Sequence, residues 1–160
     1  MKILIAGVGN VFSGDDGFGV EVAGRLARRA LPSFVKVVDF GIRGLDLAYA
    51  LGDGYDVAIL VDVAQRGSPP GTLYVIEPSV EPRDTVPSGH ATSPETVLAM
   101  ARSLGGAQCP VRVVACEPST FRGDEGVMGL SPAVEAAVEP AIELTLSVAA
   151  TWQLEVLGRA

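Results

Sequence analysis

The chain of 160 residues fits one domain, residues 1–160, and its hydrophobic fraction of 48% is enough for a sizeable core. Its formal net charge of −7 disfavours binding to nucleic acid, because such a surface repels phosphate backbones. The sequence shows no secretory signal, no apolar run near the roughly 20 residues of a membrane span and no zinc motif at its two cysteines, so we expect a cytoplasmic protein without membrane contact.

Strands and helices alternate along most of the chain. Apolar, β-rich runs predict strands over Lys2–Gly7, Phe34–Phe40, Asp56–Val63, Thr72–Glu77 and Val111–Cys116. Helical spacing and start signals predict helices over Asp16 to Ala30, Leu45–Leu51, Thr92 to Leu104 and Ser131 to about Ala150. Ser93 is the predicted N-cap of the third helix, and Pro94 is its predicted first residue.

The link between the third and fourth strands breaks this alternation. It consists of the short, proline- and glycine-rich stretch AQRGSPPG. A parallel crossover needs at least about 10 residues and usually contains a helix. The fourth strand is therefore predicted to be antiparallel, in a mixed five-stranded sheet with helices on both faces.

Polar residues follow the predicted parallel strands, where ligands of such sheets gather. They are Asn10, Asp15 and Asp16 after the first strand, Asp39 after the second, Asp62 in the third, Glu117 after the fifth, and His90 in a loop before a helix. Taken singly, Asp15 or Asp16 could cap the first helix, Asp39 could be a turn residue, Glu117 a strand stop and His90 a structural or solvated side chain. Asp62 is harder to dismiss, because a carboxylate at the end of a buried strand is costly unless it is paired, hydrogen-bonded or bound to metal.

The loop after the first strand, GVGNVFSGDDGFG, matches neither common phosphate-binding motif. Phe12 stands where the dinucleotide fingerprint needs glycine, and Asp15 and Asp16 stand where a P-loop needs lysine and serine or threonine. Two carboxylates would repel a pyrophosphate but suit a cation. With an imidazole they form a ligand set acceptable to nickel, zinc, manganese or iron.

Five sequence blocks in order resemble the hydrogenase maturation endopeptidases. They are GVGNVFSGDDGFGVEVA, DFGIRGLDLAYAL, ILVDVAQRGSPPGTL, GHATSPETVLAMA and CEPSTFRGDEGVMGLSPAVEAAVEPAI. The resemblance extends from Ile3 to about Ala149. It implies a three-layer α/β/α fold of the phosphorylase/hydrolase-like kind, with a mixed five-stranded sheet of four parallel strands and one antiparallel strand.

The resemblance also implies an activity and a site. Family members remove a C-terminal extension from the precursor of the large subunit of nickel–iron hydrogenase once nickel has been inserted. Their metal-contacting positions match Asp16, Asp62 and His90, and a family acid near the cleft matches Asp39. The first-loop position is often Glu in relatives and is one methylene shorter here, so Asp15 stays open as a substitute for Asp16.

The resulting hypothesis is hydrolysis without a covalent enzyme intermediate. Nickel would arrive bound to the substrate, Asp16, Asp62 and His90 would complete its coordination, and a carboxylate or the metal would activate water. The sequence shows no nucleophile elbow and no H-E-x-x-H motif, and we expect a monomer with no tightly bound organic cofactor. Alternatives are a non-proteolytic nickel-sensing chaperone and another metal-dependent amide hydrolase; a dinucleotide-binding oxidoreductase is disfavoured by Phe12 and the two aspartates.

Overall fold

The computed structural model describes residues 1–78, 93–105, 109–119 and 126–159. The strands are Ile3–Val8 (β1), Val35–Gly41 (β2), Val57–Val63 (β3), Leu73–Ile76 (β4) and Val111–Cys116 (β5). The helices are Phe18–Leu26 (α1), Gly44–Ala50 (α2), Pro94–Ser103 (α3) and Pro132–Gly158 (α4), and a 3₁₀ turn over Gly14–Gly17 precedes α1. Every strand end lies within one residue of its prediction.

The strands form one mixed sheet in the order β2-β1-β3-β5-β4. β1 pairs in parallel with β2 and β3, and β3 pairs in parallel with β5. β4 is antiparallel to β5, as the short, helix-free connection from β3 to β4 predicted. The four parallel strands therefore end at one edge of the sheet, which we call the C-terminal edge.

Helices cover both faces of the sheet and give three layers. On one face, α1 and α4 pack on a cluster that includes Ile5, Ile59 and Trp152. On the other face, α2 and α3 pack on a cluster that includes Leu4 and Leu60. Successive strand residues alternate between these two clusters, which is the expected pattern for a sheet buried on both faces. The predicted three-layer α/β/α fold is confirmed.

The start of α1 lies directly on the sheet. A Cβ atom added to Gly19 would be 2.0 Å from the carbonyl oxygen of Val61 and 2.4 Å from that of Val8. Only glycine permits this approach, because any side chain would overlap backbone atoms of β1 and β3. The contact fixes the loop that connects β1 to α1 against the end of β3.

Two predicted helices differ from the structure at their ends. The first was expected over Asp16 to Ala30, but α1 ends at Leu26 because the N–H groups of Arg28 and Arg29 bond to carbonyls three residues back. The last was expected to stop near Ala150, but α4 continues to Gly158. Trp152 explains the extension, since it is buried with the Arg112 guanidinium 4.3 Å from its ring centroid.

The third helix begins as its sequence predicted. Ser93 is the N-cap of α3, its hydroxyl oxygen accepts a hydrogen bond from the Thr96 N–H at 3.2 Å, and Pro94 opens the helix. Within the described ranges, none of the helices has the length and apolar character needed to cross a bilayer.

Candidate active site

The C-terminal edge of the sheet carries the acids that the sequence singled out. Asp15 and Asp16 lie in the 3₁₀ turn after β1, and Asp39 lies near the end of β2. Asp62 is the penultimate residue of β3, and Glu117 directly follows β5. They come from four parallel strands, but their environments differ sharply.

The glycine loop after β1 directs Asp16 by a short network of hydrogen bonds. The Asn10 N–H donates to Oδ2 of Asp16 at 3.0 Å, and Oδ1 of Asn10 accepts from the Phe12 N–H at 2.9 Å. Gly9 has a φ of 143°, and a Cβ there would lie 1.8 Å from the Asp16 carbonyl oxygen. The loop therefore closes tightly enough to hold the partly exposed Asp16 carboxylate in one place.

Asp62 is a buried carboxylate with few donors. It is 7% exposed, and within the described segments one N–H, that of Val63, donates to its Oδ1 at 2.8 Å. Burial raises the pKa of Asp62 well above its ordinary value, the Val63 hydrogen bond lowers it, and the charges of Asp16 and Glu95 raise it further. Asp16 and Glu95 are thus close enough to Asp62 for their negative charges to act on it.

Asp15 has a different role from its neighbour Asp16. It is fully buried, and its Oδ2 accepts from the Ser119 N–H at 2.8 Å and from the Ser131 hydroxyl at 2.9 Å. Its Oδ1 accepts from the Ser131 N–H at 2.7 Å. Neither aspartate caps the first helix, whose N-cap is Gly17. Asp15 instead connects the glycine loop to Ser131, the N-cap of α4.

Glu117 is also buried, at 3% exposure, but it is well supplied with donors. Its oxygens accept from the N–H groups of Arg66 and Gly67 at 2.8 and 2.9 Å and from the Tyr74 hydroxyl at 3.0 Å. Burial raises the pKa of Glu117, but these hydrogen bonds outweigh it and leave that pKa below its ordinary value. Glu117 thus holds the connection between β3 and β4 through these hydrogen bonds.

Asp39 is exposed at the end of β2. It alternates with Val38 and Phe40, which belong to the cluster under α2 and α3, so its side chain leaves the sheet on the opposite face. Its backbone carbonyl accepts from the Arg43 guanidinium at 2.6 Å. The Gly9 N–H donates to the Gly41 carbonyl and ties the end of β2 to the glycine loop, so Asp39 lies beside that loop and in contact with solvent.

The donor set can serve a cation, and the cysteines do not offer a nucleophile. Asp16 and Asp62 supply hard carboxylate oxygens, although no three His, Cys, Asp or Glu side chains form a metal-holding group within the part of the chain that the structure describes. Burial raises the pKa of the Cys109 thiol to about 11 and that of the Cys116 thiol to about 12. Both cysteines are therefore protonated and weakly nucleophilic near neutral pH.

Comparison with known proteins decides the family. The sequence profile described as hydrogenase maturation protease matches residues 20–148. The chain belongs to the hydrogenase maturation protease family. It is 34% identical over 164 residues to the hydrogenase expression/formation protein HupD of Bradyrhizobium diazoefficiens, covering 99% of this chain and 83% of that protein. It is 31% identical to the hydrogenase 2 maturation protease of Escherichia coli, with 99% and 97% covered.

Solved structures agree with this membership. The hydrogenase maturating endopeptidase HybD from E. coli superposes with a TM-score of 0.73 at 28% identity, covering 92% of this chain and 91% of that one. This hydrogenase maturation protease is therefore a peptide hydrolase, with the mixed α/β sheet of its relatives. The family expected from the sequence blocks, the fold and the enzyme class are all confirmed.

The structure brings together only some of the predicted site residues of this protease. Asp16 and Asp62 interact electrostatically, and Asp39 borders the same loop. His90 lies outside the described residues, so its predicted place beside the acids stays a prediction. Glu95 was not among the predicted site residues. The Ser93–Pro94 helix start was the available signal, because it placed an acid in the first turn of α3.

Proposed function

We propose that this protease removes the C-terminal extension from the precursor of a nickel–iron hydrogenase large subunit after nickel insertion. Nickel enters as part of the substrate. Asp16, Asp62 and His90 complete its coordination and thereby place the scissile peptide bond in the site. Recognition of the bound nickel makes cleavage the last step of metal insertion.

The environment of Asp62 carries this proposal. Its carboxylate is 7% exposed, accepts one N–H from Val63 and lies in the field of two other acids. A buried carboxylate to which the described residues supply one donor costs folding free energy unless a further partner, such as a cation, compensates it. A divalent ion carried by the substrate would supply that compensation, whereas a neutral peptide would not.

Asp16 and His90 fit the same role for different reasons. The Asn10 N–H holds one oxygen of Asp16, so the carboxylate is oriented before the substrate arrives. His90 stands three positions before Ser93, the N-cap of α3, and Glu95 in the first turn of α3 is close enough to act on Asp62. Two carboxylates and an imidazole are a ligand set that nickel accepts.

Hydrolysis requires a base, and we assign it to Asp39. Water adds to the scissile carbonyl carbon while its proton passes to the Asp39 carboxylate. The C–N bond of the tetrahedral intermediate then breaks, and the same proton passes to the departing amine. Asp39 is exposed beside the glycine loop, where it can contact both solvent and a bound chain.

The test compares nickel-loaded and nickel-free precursor as substrates. The wild type should shorten only the nickel-loaded precursor, as seen by mass spectrometry of its C-terminus. Asp62→Asn should slow this cleavage by at least about 100-fold, because the neutral amide replaces the anionic ligand. Asp46→Asn is a matched control, since Asp46 is an exposed acid of α2 paired with Arg43. Full cleavage by Asp62→Asn, or equal cleavage without nickel, would exclude nickel recognition by this site.

We further propose that the enzyme acts as a cytoplasmic monomer that holds no organic cofactor. Its described helices are too short or too polar to span a bilayer, and its −7 charge disfavours anionic membrane surfaces and nucleic acids. Sedimentation of the purified enzyme at assay concentration should give the mass of one chain. A dimer that dissociates with loss of activity would contradict the monomer.

A further inference from the structure

Large apolar side chains stand exposed beside the site. Phe12 is 59% exposed and Met128 is 68% exposed, and Val11 and Val127 accompany them. We call these four residues the apolar ledge. Exposed single hydrophobic residues are ordinary, but several large ones on two hydrogen-bonded segments can form an interaction surface.

Backbone hydrogen bonds join the two segments that form the ledge. The Gly14 N–H donates to the Val127 carbonyl at 2.8 Å, and the Gly126 N–H donates to the Phe12 carbonyl at 2.7 Å. Ser13 and Val127 form a parallel bridge between the same segments. The backbone of the ledge is thus one short two-stranded unit, which joins the segment of Val11 and Phe12 to that of Val127 and Met128.

The ledge is also fixed relative to Asp16. Asn10 accepts from the Phe12 N–H with its side chain and donates to Asp16 with its backbone, so it positions both residues. On the other side, Asp15 binds Ser131 and so ties the glycine loop to the chain just after Met128. A polypeptide lying on the ledge would therefore enter the acid group in a defined register.

We propose that the apolar ledge binds an apolar stretch of the protein substrate next to the cleaved bond. This inference rests on the proposed function. An endopeptidase must hold an extended chain across its catalytic edge, and Val11 and Phe12 of the ledge lie in the same loop as Asp16, to which the segment of Val127 and Met128 is hydrogen-bonded. The neighbouring acids and the net charge of −7 repel anionic lipid, so an apolar polypeptide segment is the occupant that fits.

The experiment replaces Phe12→Ser, Met128→Ser and both together, and measures kcat and KM on nickel-loaded large-subunit precursor. Loss of one buried apolar contact should raise KM about 10-fold, and the double variant should raise it further, with kcat little changed. Leu154→Ser and Leu157→Ser are matched controls, because these residues of α4 are 72% and 58% exposed. Their KM should equal that of the wild type.

Unchanged KM in the double variant would overturn the proposal. So would a ledge variant that loses self-association or binding to phosphatidylserine vesicles while its KM stays the same, since the occupant would then be a second copy or a membrane. If the wild type fails to cleave the precursor, the proposed function fails. In that case, the dissociation constant of the precursor is compared between the wild type and the double variant, and this comparison tests whether the ledge binds the precursor. Thermal unfolding confirms that each variant is folded.

Discussion

Asp62 and Glu117 lie at the ends of neighbouring parallel strands, and both are buried, yet their hydrogen bonding and the shifts of their pKa values are opposite. Glu117 accepts two backbone N–H groups and the Tyr74 hydroxyl, and its pKa is lowered. Within the described residues, Asp62 accepts one N–H, from its neighbour Val63. The charges of Asp16 and Glu95 act on it, and its pKa is raised. Both carboxylates are shielded from solvent, and they differ in their hydrogen-bond partners.

Under the proposed function, this difference separates a structural acid, Glu117, from an acid that binds a ligand, Asp62. A carboxylate that the fold satisfies contributes to stability and has little affinity left for a cation. A carboxylate that the fold leaves poorly satisfied costs stability and gains it back when a cation binds. The contrast predicts that the two strand ends respond oppositely to neutral substitution.

The largest expected effect is the opposite response of stability and activity to Asp62→Asn. Cleavage should fall by at least about 100-fold, while the free energy of unfolding at neutral pH should stay equal or rise, because a poorly compensated buried charge is removed. Urea unfolding beside the cleavage assay measures both quantities. A clear loss of stability would show that Asp62 is a structural acid like Glu117.

The converse substitution, Glu117→Gln, should lower the free energy of unfolding by about 1–3 kcal/mol. The side-chain amide has one acceptor oxygen in place of two, so it cannot accept all three hydrogen bonds from the Arg66 N–H, the Gly67 N–H and the Tyr74 hydroxyl. Since the folded pKa of Glu117 is lowered, its ionised form stabilises the fold above the ordinary glutamate pKa and loses that effect as the pH falls.

The difference in stability between wild type and Glu117→Gln should therefore be largest near neutral pH and shrink below the ordinary glutamate pKa. Urea unfolding at a series of pH values measures this trend. Residual cleavage should persist wherever the variant is folded. A difference that grew toward acid pH would contradict the assignment of Glu117 as a satisfied anion.

The smallest expected effect is that of Tyr74→Phe, which removes one of the three donors to Glu117. It should cost about 0.5–1.5 kcal/mol of unfolding free energy and leave cleavage unchanged. Because the ring remains, the contact with the Arg66 guanidinium, 5.6 Å from the ring centroid, is retained as an internal control. Reduced cleavage in a fully folded Tyr74→Phe protein would place Glu117 in the site after all.

Sequence reasoning reached the fold because its signals are local. Apolar runs predicted the strands, and the link AQRGSPPG predicted the antiparallel strand because it is too short for a parallel crossover. An acid inside the apolar run of β3 likewise identified Asp62. Periodicity and loop length are properties of neighbouring residues, so the sequence states them directly.

The roles of Asp15 and Glu117 could not be predicted in this way. The donors to Asp15 include Ser131, 116 residues away, and those to Glu117 lie about 50 residues before it. The position of these acids at strand ends made all of them candidates for one site. Within the described residues, long-range hydrogen bonds give Asp15 and Glu117 structural partners. Such pairing depends on the folded backbone and has no local sequence signal.

Gly19 limits how this site can change during evolution. Because α1 begins in contact with the carbonyls of Val8 and Val61, the backbone cannot shift to widen or narrow the gap between the Asp16 loop and β3. Only side-chain length can adjust the reach across that gap. Replacing Asp16 with glutamate would move the carboxylate outward by one methylene within the same backbone frame. Under the proposed function, a single codon could therefore adapt the enzyme to an ion held at a different depth in its substrate.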